Sequence, residues 1–181
     1  MSETAFTIDR PVFLIGFSGS GKTSAGLLLA RKLEVPFVDT DAAIEQQQQR
    51  TITEIFAAEG ETVFREMERE TIARALQAEP VFVGSLGGGA FEQAVIREQT
   101  LAAGVVVYLR CSPAELHERL RKVQDRPLLA DSDPGSRIRQ MLEKRTPQYE
   151  MAHLTIDTTN LSPEQTAGAI LTALKEHSRA N

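Results

Sequence analysis

The residues best suited to chemistry stand together early in the chain, at Gly16-Phe17-Ser18-Gly19-Ser20-Gly21-Lys22-Thr23. Their spacing fits G-x-x-x-x-G-K-[ST]. The glycines permit backbone conformations that turn successive N–H groups inward, making a concavity for phosphate oxygens. Lys22 is placed to reach the β- and γ-phosphates, and the Thr23 hydroxyl to ligate Mg²⁺. The helix that follows points its positive end at the same anion. A short apolar run precedes the motif and an amphipathic pattern follows it, as a phosphate loop between strand and helix requires. The segment predicts binding of a nucleoside triphosphate.

A second cluster is acidic. The run Phe37-Val38-Asp39-Thr40-Asp41 ends in two carboxylates. Residues two apart in a strand share a side, so both are expected beyond the carboxyl edge of the sheet, where open α/β folds bind ligands. One would serve the metal and the other a substrate hydroxyl. The competing reading is an ordinary turn with Asp41 capping the next helix.

The elements that must position these groups follow from periodicity. Apolar runs at 12–15, 37–38, 81–83, 105–109 and 154–156 are β-branched or aromatic-rich and read as buried strands. Helical patterns lie between them at 22–33, 42–49, 61–77, 92–102, 113–122 and 136–144. Thr51-Ile52-Thr53-Glu54 offers a capping box opening a short helix that Gly60 ends. Ser162, Pro163 and Gln165 open the last helix in the same manner. This alternation predicts an α/β domain with a mainly parallel sheet, occupying 1–181 as a single unit. The stretch 124–135, with two prolines, a glycine and three aspartates, reads as a mobile loop of the kind that serves as a lid.

Composition narrows the function classes. Twenty-five acids against 20 bases leave a net charge of −5, which argues against a nucleic-acid footprint. A few converging Arg or Lys residues can still govern one anionic cleft. The single cysteine, Cys111, excludes an internal disulfide and a cysteine-based zinc site, and is expected as a buried filler. His117, His153 and His177 share no triad or metal spacing. No apolar run approaches the roughly 20 residues of a membrane helix, and the opening MSETAFTIDRP lacks an apolar leader core. A cytoplasmic monomer is the expectation, with no membrane or nucleic-acid partner.

Four further segments give the chain a family resemblance. Gly60-Glu61-Thr62-Val63-Phe64-Arg65-Glu66-Met67-Glu68 is similar to the G-E-x-x-F-R-x-x-E of shikimate kinases. Ser85-Leu86-Gly87-Gly88-Gly89-Ala90 resembles their triple-glycine segment, Arg126-Pro127-Leu128-Leu129 their lid, and Lys144-Arg145 with Pro147 and Tyr149 their K/R-R-x-P-x-Y. The resemblance runs from about residue 11 to residue 163, and the order of the segments makes it specific.

It implies a P-loop kinase fold in three layers, with a five-stranded parallel sheet in order 2-3-1-4-5, substrate-binding helices at about 41–77 and a lid at about 122–135. It also implies ATP as co-substrate, Mg²⁺ as cofactor and transfer of the γ-phosphoryl group to the 3-hydroxyl of shikimate. Gly19, Ser20, Gly21, Lys22, Thr23 and Ser24 would hold the nucleotide phosphates. Thr23 would bind Mg²⁺, with Asp39 reaching it through water. Asp41, Arg65, Gly87, Gly88, Gly89 and Arg145 would surround shikimate, Arg126 would close on the phosphates, and Arg119 would lie near the adenine. Lys22, Asp41 and Arg126 would form the catalytic group. The family departure is Leu161, where some members carry a polar or basic residue near the nucleotide. Two arginines suit a carboxylate through paired N–H donors, and an aspartate suits hydroxyls. Kinases for gluconate or a nucleoside monophosphate, and a nonenzymatic ATP or shikimate sensor, are the rival readings.

Overall fold

The computed structural model describes residues 6–121 and 133–180. Five strands, β1 (Val12–Ile15), β2 (Phe37–Asp39), β3 (Val83–Ser85), β4 (Val105–Arg110) and β5 (Leu154–Asp157), form one sheet in the order β2-β3-β1-β4-β5. Every pairing is parallel. Both the α/β class and the strand order expected from the sequence are therefore present.

β1 is buried along its whole length because its side chains alternate between two cores. Val12 and Leu14 pack with Leu29 of α1 (Lys22–Leu33) and Ile170 of α7 (Pro163–Ala180). Phe13 and Ile15 face the other way, onto Ile72 of α3 (Ile52–Ala78), Ile96 of α4 (Ala94–Ala103) and Tyr149 of α6 (Pro134–Tyr149). Two cores on opposite faces of one sheet make the three layers. α2 (Thr40–Gln48) packs on α3 through Ile44, Ile55 and Phe64. α5 (Pro113–Arg121) packs on α6 through Leu116, Leu120, Ile138 and Leu142.

Several boundaries differ from the sequence expectation. The third strand begins two residues later than the apolar run 81–83, since Gly84 and Ser85 continue the pairing with β1 and β2. Apolarity marked burial there, not pairing. Gly84 leaves room for two rings: a methyl built on it would lie 3.1 Å from Phe82 and 3.2 Å from Phe13. Gly60 does interrupt the helix it was expected to end, at φ 81°, but helix resumes at once and α3 runs on to Ala78. The fourth helix starts at Ala94, after a short 3₁₀ turn at Ala90–Glu92. The last two residues of the segment expected as a lid, at about 122–135, open α6. Asp133 accepts from Ser136 N at 3.0 Å and Pro134 occupies the first turn of α6, so 134 and 135 are helical. Residues 122–132, which carry Arg126 and the rest of the expected lid, lie outside the described residues.

Both capping boxes form. Thr51 and Glu54 exchange bonds at the start of α3, and Ser162 and Gln165 do so before α7. Cys111 is buried. His153 Nδ1 accepts from Val106 N at 3.0 Å, a structural use of that ring.

Candidate active site

β1 and α1 are joined by the glycine-rich turn. Gly16, Gly19 and Gly21 all have positive φ, at 141°, 86° and 94°, which other residues reach only with strain. Gly21 is the N-cap of α1 and supplies no side-chain cap. The helix thus begins with N–H groups left for an anion, as a phosphate cradle needs. Lys22 is nearly buried and its ammonium donates to Gly16 O at 2.9 Å and Phe17 O at 3.0 Å. These bonds hold the charge at the mouth of the turn. Gly19, Ser20, Gly21, Lys22, Thr23 and Ser24 all line one cleft of about 900 Å³, large within the range of small-molecule sites.

The acidic corner opens onto the same cleft. Thr23 Oγ1 donates to Asp39 Oδ2 at 2.7 Å. Asp39 Oδ1 accepts from Asp41 N at 3.1 Å and Ala42 N at 3.2 Å, so it is Asp39, not Asp41, that caps the next helix. Asp41 lies in the first turn of α2 rather than in the strand. The two carboxylates reach one cleft through this cap, and the shared-strand-face argument does not apply. Between them, Thr40 Oγ1 donates to Ser85 O at 3.2 Å and accepts from Gly87 N at 3.1 Å. That hydroxyl ties the β2–α2 corner to the glycines after β3.

Those glycines are where the expected acceptor groups meet. A methyl built on Gly87 would lie 2.6 Å from Asp41 Oδ1 and 2.8 Å from Glu68 Oε1. On Gly88 it would be 3.5 Å from Ser18 N and 3.7 Å from Arg145 Nη1, and on Gly89 2.5 Å from Arg65 Nη2. The triple glycine is thus the floor on which one aspartate, two arginines and the phosphate loop close in. A side chain at Gly87 or Gly89 would collide with them.

Each arginine is held by a carboxylate. Arg65 Nη1 donates to Glu68 Oε2 at 2.7 Å, and Nη2 to Glu61 Oε1 at 2.9 Å. Glu68 is 1% exposed, and Gln93 Nε2 also donates to its Oε2 at 2.9 Å. Its Oε1 finds no hydrogen-bond partner among the described residues. Burial pushes the Glu68 carboxyl up to about 7, against the pull of Arg65. Arg145 Nε sits 2.7 Å from Glu92 Oε1. One turn along α6, the Tyr149 hydroxyl donates to Gly88 O, which docks the helix on the glycine floor.

At the far end of the cleft, Arg119 Nε donates to Glu115 Oε1 at 2.9 Å and Nη2 to Thr158 O at 2.8 Å. It lines the cleft with Leu120, Leu161 and Pro163, an apolar end with one flat guanidinium, suited to stacking a base. For a divalent metal, Thr23 and Asp39 supply a hydroxyl and a carboxylate side by side. Hard oxygen donors in small number fit Mg²⁺, which takes its remaining ligands from water and phosphate. Among the described residues no cluster of three or more His, Cys, Asp or Glu offers an alternative cage.

Every described residue expected at the site is therefore brought to the cleft or to its glycine floor. The sequence reading did not single out Thr40, Glu92 or the supporting part of Glu68. Glu68 carried a signal, being an acid three residues after an arginine on one helix. Thr40 and Glu92 carried none, since their partners are distant in sequence.

The family model for shikimate kinase matches residues 18–175. A shikimate kinase of Chlorobium phaeovibrioides is 45% identical over 155 residues, covering 81% of this chain and 78% of its own. One from Bacillus cereus is 41% identical over 167 residues, covering 92% and 97%. Among solved structures, a shikimate kinase from Acinetobacter baumannii in complex with shikimate superposes with a TM-score of 0.87 at 35% identity, over 93% of this chain and 94% of its own. By this match over most of its length, the chain belongs to the shikimate kinase family.

Proposed function

We propose that this chain transfers the γ-phosphoryl group of ATP to the 3-hydroxyl of shikimate, giving shikimate 3-phosphate and ADP. The observation that carries the reading is the convergence of Asp41, Arg65 and Arg145 on Gly87–Gly89, facing the phosphate loop. Shikimate is a carboxylate with three hydroxyls. The arginines offer paired donors to the carboxylate, Asp41 offers an acceptor to the hydroxyls, and Gly88 allows close approach.

The chemistry is in-line displacement. The acceptor oxygen forms a bond to the γ-phosphorus while the bond from that phosphorus to the β,γ-bridging oxygen breaks, and the electron pair leaves with ADP. Catalysis rests on positioning and charge stabilisation. The turn from Gly19 to Ser24 cradles the phosphates, and Lys22 moves its charge from the loop carbonyls onto the migrating group. Asp41 orients the 3-hydroxyl and takes its proton. Arg126, outside the described residues, adds a second positive charge from the lid, and Arg119 flanks the adenine. Thr23 and Asp39 would hold Mg²⁺, and the ion would supply neutralisation of phosphate charge. The reading treats residues 1–181 as one domain, a cytoplasmic monomer that acts on two small molecules. No helix among the described residues is long and apolar enough to cross a membrane.

A coupled assay of ADP release with and without shikimate tests this reading. ADP formation should depend on shikimate. Equal ADP formation without it would make the chain an ATPase or a sensor.

A further inference from the structure

Phe17 stands at a variable place of the phosphate loop, where cradling an anion asks only for backbone. Yet its side chain is 1% exposed and packs with Leu116 and Leu120 of α5 and Ile138 and Leu142 of α6. Its carbonyl accepts from Lys22 Nζ at 3.0 Å. The guanidinium carbon of Arg145 lies 5.7 Å from the centre of its ring, within the ~6 Å reach of cation–π attraction. The Arg145 side chain is 16% exposed, so water screens that attraction little. Glu92 Oε1 fixes the Nε side at 2.7 Å, and Nη1 is the nitrogen that comes near Gly88.

We infer that Phe17 is a positioning residue for the acceptor: its ring and Glu92 together fix the plane of the Arg145 guanidinium, so that its terminal nitrogens meet the acceptor carboxylate. The inference rests on the reading of Arg145 as a ligand of that carboxylate. A bidentate contact needs the guanidinium plane aligned with the carboxylate. A carboxylate on Nε alone leaves rotation about that contact, and the attraction of an aromatic face restricts it. An aliphatic side chain would fill the same cluster and leave the loop backbone in place, but would offer no face.

The test is calorimetric titration of shikimate and, separately, of ADP into the wild-type chain and into Phe17→Leu, Phe17→Met and Phe17→Tyr. ADP binding reports that the loop is folded in each. Leu and Met should weaken shikimate about two- to thirty-fold, the span of a cation–π contact from exposed to desolvated, with ADP affinity within about twofold. Tyr keeps the ring face and should keep shikimate affinity near wild type. Should Leu fail to fold, Met and Tyr still make the comparison. Unchanged shikimate affinity in the ringless variants overturns the inference. So does a parallel loss of ADP affinity, or an equal loss in Tyr, because either would assign the effect to packing. Failure of the wild-type chain to bind shikimate would instead refute the proposed function.

Discussion

The hydroxyl of Thr23 and the carboxylate of Asp39 lie 2.7 Å apart and join the first turn of α1 to the end of β2. The same carboxylate caps α2 through its other oxygen. One side chain therefore contacts the first turn of α1 and sets the entry of the helix that carries Asp41.

These two duties separate in Asp39→Asn. Asparagine caps a helix about as well as aspartate, so the thermal midpoint should move little. Loss of the charge beside Thr23 should raise the Mg²⁺ concentration needed for half-maximal rate by about 10- to 100-fold, the usual cost of removing an outer-shell partner. Initial rates against free Mg²⁺ at saturating ATP read this directly. An unchanged requirement would confine Asp39 to capping.

Asp41→Asn separates chemistry from binding. The amide keeps the shape and can still hydrogen-bond one hydroxyl, but it cannot take a proton. kcat should fall about 10²–10⁴-fold, the range for a general base, while ATP affinity stays near wild type and shikimate affinity weakens moderately. Steady-state kinetics with binding calorimetry decides the matter. Near-wild-type kcat would remove Asp41 from the chemistry.

Glu68→Gln should stabilise the fold relative to wild type increasingly as pH rises. Burial raises the folded-state value of this carboxyl from 4.5 to about 7, so the folded protein holds the proton to higher pH than the unfolded chain. Its contribution to stability is complete below 4.5 and is lost as pH rises through about 7. Glutamine does not titrate. Relative to wild type, the variant should therefore gain stability between pH 4.5 and 8, by up to about 3 kcal/mol at 1.36 kcal/mol per unit. Urea denaturation at several pH values measures it. A stability difference that does not vary with pH would contradict the assignment.

The same residues show what could be read from the sequence. Phosphate loop, helix starts and strand–helix alternation are local signals: the loop joins β1 to α1, and the capping boxes open α3 and α7 as expected. The acidic pair at 39 and 41 came from spacing, whereas the strand order and the arginines came from the family resemblance, because no local pattern says that Arg65 and Arg145 both reach Gly87–Gly89. Arg65 alone reads as a surface ion-pair residue. It becomes a site residue only because the turn after β3 passes beside α3. Thr40 and Glu92 stayed hidden for the same reason, as their roles lie in contacts made across the fold. The β3 boundary was misplaced because a hydrophobic run reports burial, whereas pairing continued through two small residues.

The central claim is that the two arginines, Asp41 and the triple glycine form a shikimate site, and product analysis from a panel of acceptors tests it most directly. Shikimate, its methyl ester, gluconate and CMP would each be incubated with ATP and Mg²⁺, and phosphorylated products identified by ³¹P NMR and mass. The account predicts shikimate 3-phosphate as the dominant product, with the methyl ester far slower because its carboxylate charge is gone. Turnover of gluconate or CMP at rates rivalling shikimate, or a phosphoryl group on another hydroxyl, would contradict it.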